Sequence, residues 1–288
     1  MKKISIIGTG RLGTSLGAAL SQKGYSIKAL SDRIRASAQE SQKIIGAGKA
    51  LTDNIQAARE GQILLLCVPD GEIRKVTIEL QRAGMEWKKK TVFHCSGLLT
   101  SRLLIPLKAK GASVASLHPV QSISRKKTPL SQFQGIYFGI EGDPKALATA
   151  KQIIRALESR PLLIRAKDKP LYHAACTMAS NLFVVLLDMA RTLLQQAGFT
   201  ENKALAALLP LVEGTLHNVK QFDIDASLTG PIVRGDRDSV KEHLQVLKRY
   251  PRFLKTYLQL GRHALQIANR KGLSPAKIRA LRKLLEEK

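Results

Sequence analysis

Apolar residues recur along this chain with two different periods, and the change between them divides it in two. Residues 3–7 form a short apolar run, followed by a small-residue helical pattern over 14–23 and a second apolar run over 25–30. Further short runs at 63–68, 91–95, 112–117, 136–140 and 161–165 predict strands. Helical stretches over 37–45, 72–82 and 100–108 lie between them, with Asp53 capping a short helix and Asp143 capping one that ends at 158. Strands alternating with helices predict a mostly parallel, doubly wound α/β sheet. From Asp168 onward the short runs stop and 3.6-residue periodicity takes over: 171–197, 200–219, 238–250 and 252–271. A last helix starts at Ser274-Pro275, where serine caps and proline fills the first turn. The expectation is an α/β domain over residues 1–165 and an all-α domain over 166–288.

The first α/β unit carries the most specific chemistry. Its strand runs directly into Gly8-Thr9-Gly10-Arg11-Leu12-Gly13. Gly8 allows a tight turn, Gly10 lets a pyrophosphate approach the backbone, and Gly13 lets the helix pack against the strand. The helix N-terminus beyond offers free N–H groups and a positive dipole end. In this strand–turn–helix–strand setting the fingerprint predicts a Rossmann domain that binds a dinucleotide. The tip of the second strand reads Ser31-Asp32-Arg33, then Arg35. Ser31 with Arg33 and Arg35 suits the 2′-phosphate of NADP; Asp32 pointing inward would suit the ribose of NAD. The charge balance favours NADP.

Composition narrows the partners. The chain has 288 residues and 47 Lys and Arg against 22 Asp and Glu, a formal charge of +25. The excess is spread along both halves, aromatics do not interleave with the basic clusters, and no nucleic-acid module is recognisable. The charge therefore argues for anionic small-molecule substrates rather than specific nucleic-acid binding. No uninterrupted apolar stretch reaches the length of a membrane span, the longest candidate (182–187) being stopped by Asp188. The basic N-terminus followed by apolar residues is explained by the glycine fingerprint rather than by a targeting segment. Cys67, Cys95 and Cys176 lie far apart without metal-ligand spacing, which fits a cytoplasmic protein with no metal site.

Ligands of such sheets sit beyond the carboxyl ends of the strands. Val68 and Pro69 end one strand and can wall a nicotinamide; His94, Ser96 and Gly97 follow the next, and His118 ends another. On the first long helix His173, Thr177 and Asn181 are spaced i, i+4, i+8 and so share a face among small or apolar residues. Buried polar stripes need partners, from protein or from ligand. Later, Leu228-Thr229-Gly230-Pro231 leads to Arg234-Gly235-Asp236, where Arg234 can clamp an anion and Asp236 can cap a helix.

These motifs together (the glycine fingerprint, His94-Cys95-Ser96-Gly97, Leu117-His118-Pro119, Tyr172-His173-Ala174-Ala175, Asn181 and Leu228-Thr229-Gly230-Pro231 with Arg234-Gly235-Asp236) resemble a family of Rossmann-like oxidoreductases. Its helical half is a domain of unknown function (2520). The family is similar to the 6-phosphogluconate, 3-hydroxyisobutyrate and prephenate dehydrogenases and to pyrroline-5-carboxylate reductase. The resemblance implies a nucleotide domain followed by a helical domain that builds a dimer. It implies that Ser96-Gly97 contacts substrate and that Asn181 matches the Asn of the hydroxyacid enzymes. The Lys one turn before that Asn falls here on Thr177, which cannot act as a general acid; His173, a turn earlier, can. The resulting expectation is an NADP-dependent oxidoreductase acting on a small anionic carbonyl, imine or alcohol. Gly8, Thr9, Gly10, Arg11, Leu12 and Gly13 would hold pyrophosphate, and Ser31, Asp32 and Arg33 would meet the adenosine ribose. His173 would exchange the proton, with His118 as its alternate. Ser96 and Asn181 would orient the reacting oxygen, and His94, Gly97, Thr177 and Arg234 would complete the substrate site. A non-catalytic nucleotide-binding or redox-sensing module is the alternative from another class. The long apolar helices also predict a homodimer through the helical domain.

Overall fold

A computed structural model describes residues 2–286. An eight-stranded sheet dominates the first part of the chain. Its strands are β1 (Lys3–Ile7), β2 (Ser26–Ser31), β3 (Lys49–Leu51), β4 (Ile63–Leu66), β5 (Thr91–His94), β6 (Ser113–Pro119), β7 (Tyr137–Gly142) and β8 (Arg160–Leu163). The order across the sheet is β3-β2-β1-β4-β5-β6-β7-β8. Every neighbouring pair is parallel except β6 and β7. The order reverses beside β1, which opens a crevice at the carboxyl ends of β1 and β4 where ligands of such sheets bind. Strand β3 was not apparent from the sequence: three residues give too little alternation to register.

The alternation of side chains builds a core on each face. Ile4, Ile6, Leu65 and Phe93 face one layer, with Leu16 and Leu20 of α1 (Arg11–Gln22) and Ile153 of a later helix. Ile7, Leu64, Leu66 and Val92 face the other, against Trp87 and residues Ile73, Val76 and Leu80. Both layers are closed, as a parallel sheet requires. The helices that cover it are α1, α2 (Arg35–Ile45), α3 (Asn54–Glu60), α4 (Asp70–Gln81), α5 (Ile105–Lys108) and α6 (Pro144–Ala156). Asp53 caps α3 as expected, accepting from the Ile55 and Gln56 N–H groups at 2.7 and 3.0 Å. Asp143 stands at the N-terminus of α6, but its carboxylate accepts instead from the Val114 N–H at 3.1 Å and pairs with Lys108.

After β8 come α7 (Lys169–Thr177), a wider π-helical turn (Met178–Leu182) and α8 (Phe183–Gln196). The helical run Ala166–Gln196 is long and apolar enough, by length and composition, to cross a membrane, with a mean hydropathy of 1.4 in its most apolar window. The sequence expectation missed this because it required an unbroken apolar stretch. Contacts divide the chain into two units, Met1–Leu182 and Phe183–Lys288. The expected division after residue 165 falls earlier, because α7 packs its polar face onto the strand ends of the first unit.

The second unit is helical, as expected: α8, α9 (Glu201–Gln221), α10 (Ile224–Ser227), α11 (Pro231–Arg234), α12 (Arg237–Leu247), α13 (Pro251–Arg270) and α14 (Pro275–Glu286). Val240, Leu265, Ala268, Ile278, Leu281 and Leu285 of α12, α13 and α14 form its core. Helix α9 is different: Ala204 is its one buried residue among 21.

Candidate active site

The glycine turn is built as the fingerprint requires. Gly8 has φ +96°, and a Cβ there would lie 2.7 Å from the Cys67 carbonyl carbon and oxygen. A Cβ on Gly13 would meet the Gly8 oxygen at 2.0 Å, so helix α1 can start only against a bare turn. A Cβ on Gly10 would have nothing within 4 Å, which leaves that face open to a ligand. No side chain caps α1, and its first N–H groups remain available to an anion.

From this turn a cleft of about 910 Å³ runs along the strand ends, lined by Gly8, Gly10, Leu12, Ser31, Asp32, Arg33, Val68, Pro69 and Ser96 among others. Eight of the eleven residues expected to hold cofactor line it. Thr9 is fully buried beneath it, Gly13 packs α1, and Arg11 faces a second cleft. At the β2 end of the cleft Asp32 is committed. Its carboxylate accepts from the Thr9 N–H at 2.9 Å, the Thr9 hydroxyl at 2.8 Å and the Ile34 N–H at 3.1 Å. Burial pushes Asp32 up, but the Ile34 and Thr9 bonds outweigh it and hold the carboxyl below its ordinary range. The Ser31 hydroxyl is also used, donating to Asn54 Oδ1 at 2.8 Å. Arg33 and Arg35 are exposed.

The second cleft, about 520 Å³, is lined by Arg11, His118, the segment 120–124, His173, Thr177, Ser180 and Asn181. The expected polar residues thus line one cleft, but not as a buried stripe: His173 and Thr177 are half-buried, Asn181 is exposed, and the π-helical turn breaks the simple i, i+8 relation of His173 to Asn181. Gly97 fits between the imidazoles: a Cβ there would lie 2.6 Å from His173 Cδ2 and 2.9 Å from His118 Nε2. The two rings stand edge to face with centroids 6.1 Å apart. His118 Nδ1 is 2.7 Å from the Tyr172 hydroxyl. Burial, then the nearby Lys169 and His173, lower His118 to about 4, so it is neutral at neutral pH.

Two expectations need correction. His94 is fully buried and lines neither cleft; its Nδ1 accepts from the Ser96 N–H at 3.3 Å, and burial followed by Lys169 lowers it to about 4. It belongs to the support beneath the site. The Ser96 hydroxyl is spent within its own turn, donating to Asp70 Oδ2 at 2.8 Å and accepting from the Leu98 and Leu99 N–H groups. It shapes the turn that presents Gly97 rather than offering a free hydroxyl. Arg234 is exposed and lies in the second unit, where Asp236 caps α12 through Ser239.

Sequence reasoning missed Lys169. Its side chain is 1% exposed, and Nζ donates to the Ser96 carbonyl at 3.0 Å and the Ser116 hydroxyl at 2.8 Å, with Glu141 at 3.9 Å. Burial lowers it to about 8 against the opposing pull of Glu141. A lysine at a helix start is ordinarily solvated, so nothing in the local pattern marks this one. Tyr172 stood in a noted motif but drew no role, because its partner is 54 positions away.

Two family models match the chain, and the boundary between them lies earlier than that between the two contact units. Residues 1–119 match a Rossmann-like domain, and residues 136–264 match a domain of unknown function (DUF2520). The chain joins a Rossmann-like domain to a DUF2520 domain. No curated protein sequence matches it. Among solved structures, BF3122 of Bacteroides fragilis, a candidate NADP oxidoreductase, superposes with a TM-score of 0.75 at 23% identity, covering 91% of this chain and 97% of its own. Protein TM1727 of Thermotoga maritima gives 0.73 at 26% identity, covering 93% and 99%. A pyrroline-5-carboxylate reductase from Coxiella burnetii gives 0.60 at 17% identity, covering 100% and 99%. The fold is therefore shared with that of a candidate NADP oxidoreductase and of a pyrroline-5-carboxylate reductase.

Proposed function

We propose that this chain is an NADP-dependent oxidoreductase acting on a small, anionic carbonyl, imine or alcohol. One observation carries the reading: a bare glycine turn opens on one side into the 910 Å³ cleft and, at Arg11, borders the cleft that holds His118 and His173. The residues fit a dinucleotide. The volume is that of a ligand pocket, the free N-terminus of α1 suits a pyrophosphate, and Val68 and Pro69 give an apolar wall. When bound, the nicotinamide supplies or accepts the hydride. Similarity to BF3122, a candidate NADP oxidoreductase, supports NADP, as does the commitment of Asp32 to Thr9 beside the exposed Arg33 and Arg35.

The chain's own residues then do the rest. His173 lines the second cleft and exchanges the proton of the reacting group. Asn181 and Thr177 orient it, and Arg11 attracts a negative tail. Titration with NADPH and NADH tests the cofactor assignment, since stabilisation follows ligand over dissociation constant. Tight NADPH binding is expected; a melting temperature unmoved by either would overturn the reading.

The same proposal includes a cytoplasmic homodimer. Leu171, Met178, Leu182, Val184 and Val185 on the first long helical run are more than half exposed, and Leu205, Leu209, Leu211, Leu216 and Val219 on α9 are at least 37% exposed. Exposed apolar surface of this extent marks an interaction face. Light scattering should give the mass of two chains; a single-chain mass at working concentration would overturn the dimer.

A further inference from the structure

We infer that Tyr172 is a positioning residue that fixes the tautomer of His118, making it a permanent N–H donor toward the second cleft rather than an alternate proton carrier. The role of that donor in turnover rests on the substrate-site reading above; the tautomer does not.

The geometry begins with two groups on neighbouring elements. Tyr172 of α7 brings its hydroxyl to 2.7 Å from His118 Nδ1 at the end of β6. That hydroxyl has no other side-chain hydrogen-bond partner among the described residues. Imidazole nitrogen is a good acceptor. The hydroxyl proton therefore points at Nδ1, and Nδ1 carries no proton of its own. A neutral imidazole then bears its hydrogen on Nε2.

Position secures the same end. Gly139 pairs with His118 across β6 and β7, and a Cβ at Gly139 would lie 2.5 Å from the Tyr172 hydroxyl. The phenol is thus wedged between the bare strand and the imidazole. At the other edge of the ring, Nε2 is beside Gly97 on the wall of the second cleft and makes no hydrogen bond among the described residues. The charged and titratable groups facing the ring come from two helices: Lys169, Tyr172, His173 and Cys176 from α7, and Arg11 from α1. The cations among them oppose a second proton on His118, and so does the bond donated to Nδ1.

The chemical consequence separates the two histidines. A neutral imidazole with Nδ1 occupied and Nε2 protonated has no lone pair to offer substrate. His118 can donate a hydrogen bond to a carbonyl oxygen, an imine nitrogen or the oxygen of an alcohol. It cannot take a proton from them. Proton exchange falls to His173 alone.

Nitrogen NMR of the histidine side chains tests this on the intact chain, with His118 assigned by a His118→Gln variant. The expected result is one protonated Nε2 and one hydrogen-bonded, unprotonated Nδ1, unchanged through the range near pH 6.5 where a free imidazole titrates. Tyr172→Phe, which keeps the ring wedge, should move the Nδ1 resonance to that of a free acceptor while the backbone spectrum stays folded. A proton found on Nδ1, titration near pH 6.5, or an Nδ1 resonance unmoved in Tyr172→Phe would each overturn the inference. None of these outcomes depends on whether NADPH binds.

Discussion

Replacing Lys169 by methionine should reveal how the buried ammonium is tolerated. Methionine fills nearly the same space without charge or donor. The Ser96 carbonyl and the Ser116 hydroxyl then lose their bonds at 3.0 and 2.8 Å, and each orphan in a buried site costs about 1–3 kcal/mol. Glu141 keeps its bonds from the Ser101 N–H and hydroxyl at 2.6 and 2.9 Å, so it is not stranded. Against this, the substitution removes a charge that the fold holds at a disadvantage. Lowering Lys169 from 10.5 to about 8 corresponds to a bias of roughly 3 kcal/mol toward the neutral form. Near pH 7 the two effects partly cancel, and a net loss of about 1–3 kcal/mol is expected. The sign of the pH dependence is the sharper test. Between about 8 and 10.5 the unfolded chain keeps a proton that the folded chain has released, so wild-type stability rises with pH through this window. It falls again as pH drops back through the folded value. Lys169→Met lacks that rise. Denaturant unfolding of both proteins at intervals from neutral pH upward cancels the titration of every other group they share. The stability gap should widen by up to roughly 3 kcal/mol. A gap independent of pH, or a methionine variant as stable as wild type, would refute the reasoning.

Three further outcomes are expected. Gly13→Ala places a Cβ 2.0 Å from the Gly8 oxygen; it should lower stability by about 1–3 kcal/mol or more and abolish the thermal shift with NADPH, both read in one melting series. Replacing Arg33 and Arg35 together by alanine should weaken NADPH roughly 10- to 100-fold while leaving NADH almost unchanged, since charge-assisted bonds to a phosphate contribute about 1.5–3 kcal/mol; nicotinamide fluorescence titrations compare the two. Gly97→Ala meets two side chains rather than backbone, so the fold should survive with a change of about 1 kcal/mol or less, while the His118 and His173 resonances shift.

The parts of the structure legible in the sequence were those with a local signature. The glycine turn declared itself within six residues, and the parallel strands did so because burial on both faces makes them continuously apolar. The change of period near Asp168 announced the helices. What stayed hidden depends on partners far along the chain. From the sequence Asp32 suits a ribose if it points inward; that Thr9 claims its carboxylate needs the folded turn. His94 sits one residue before the cleft-lining Cys95 and faces the opposite way, as alternation in a strand dictates, but the sequence does not say which parity faces the ligand. Lys169 was invisible because its environment is assembled from Ser96, Ser116 and Glu141, each on a different strand or strand end.

The unbroken helical run Ala166–Gln196 also bears on how such proteins diversify. A recombination joint placed in the loop before Ala166 would import Lys169, Tyr172 and His173 together with the foreign helical half. A joint after Leu182 would leave all three with the nucleotide-binding half. With proton exchange at His173 as proposed, the two chimeras would have the same domain order on paper and different proton chemistry. Inheritance of the proposed reaction would then turn on where a swap cuts one helix, and lineages that exchanged halves at the first joint would carry that chemistry as a single heritable package with their helices.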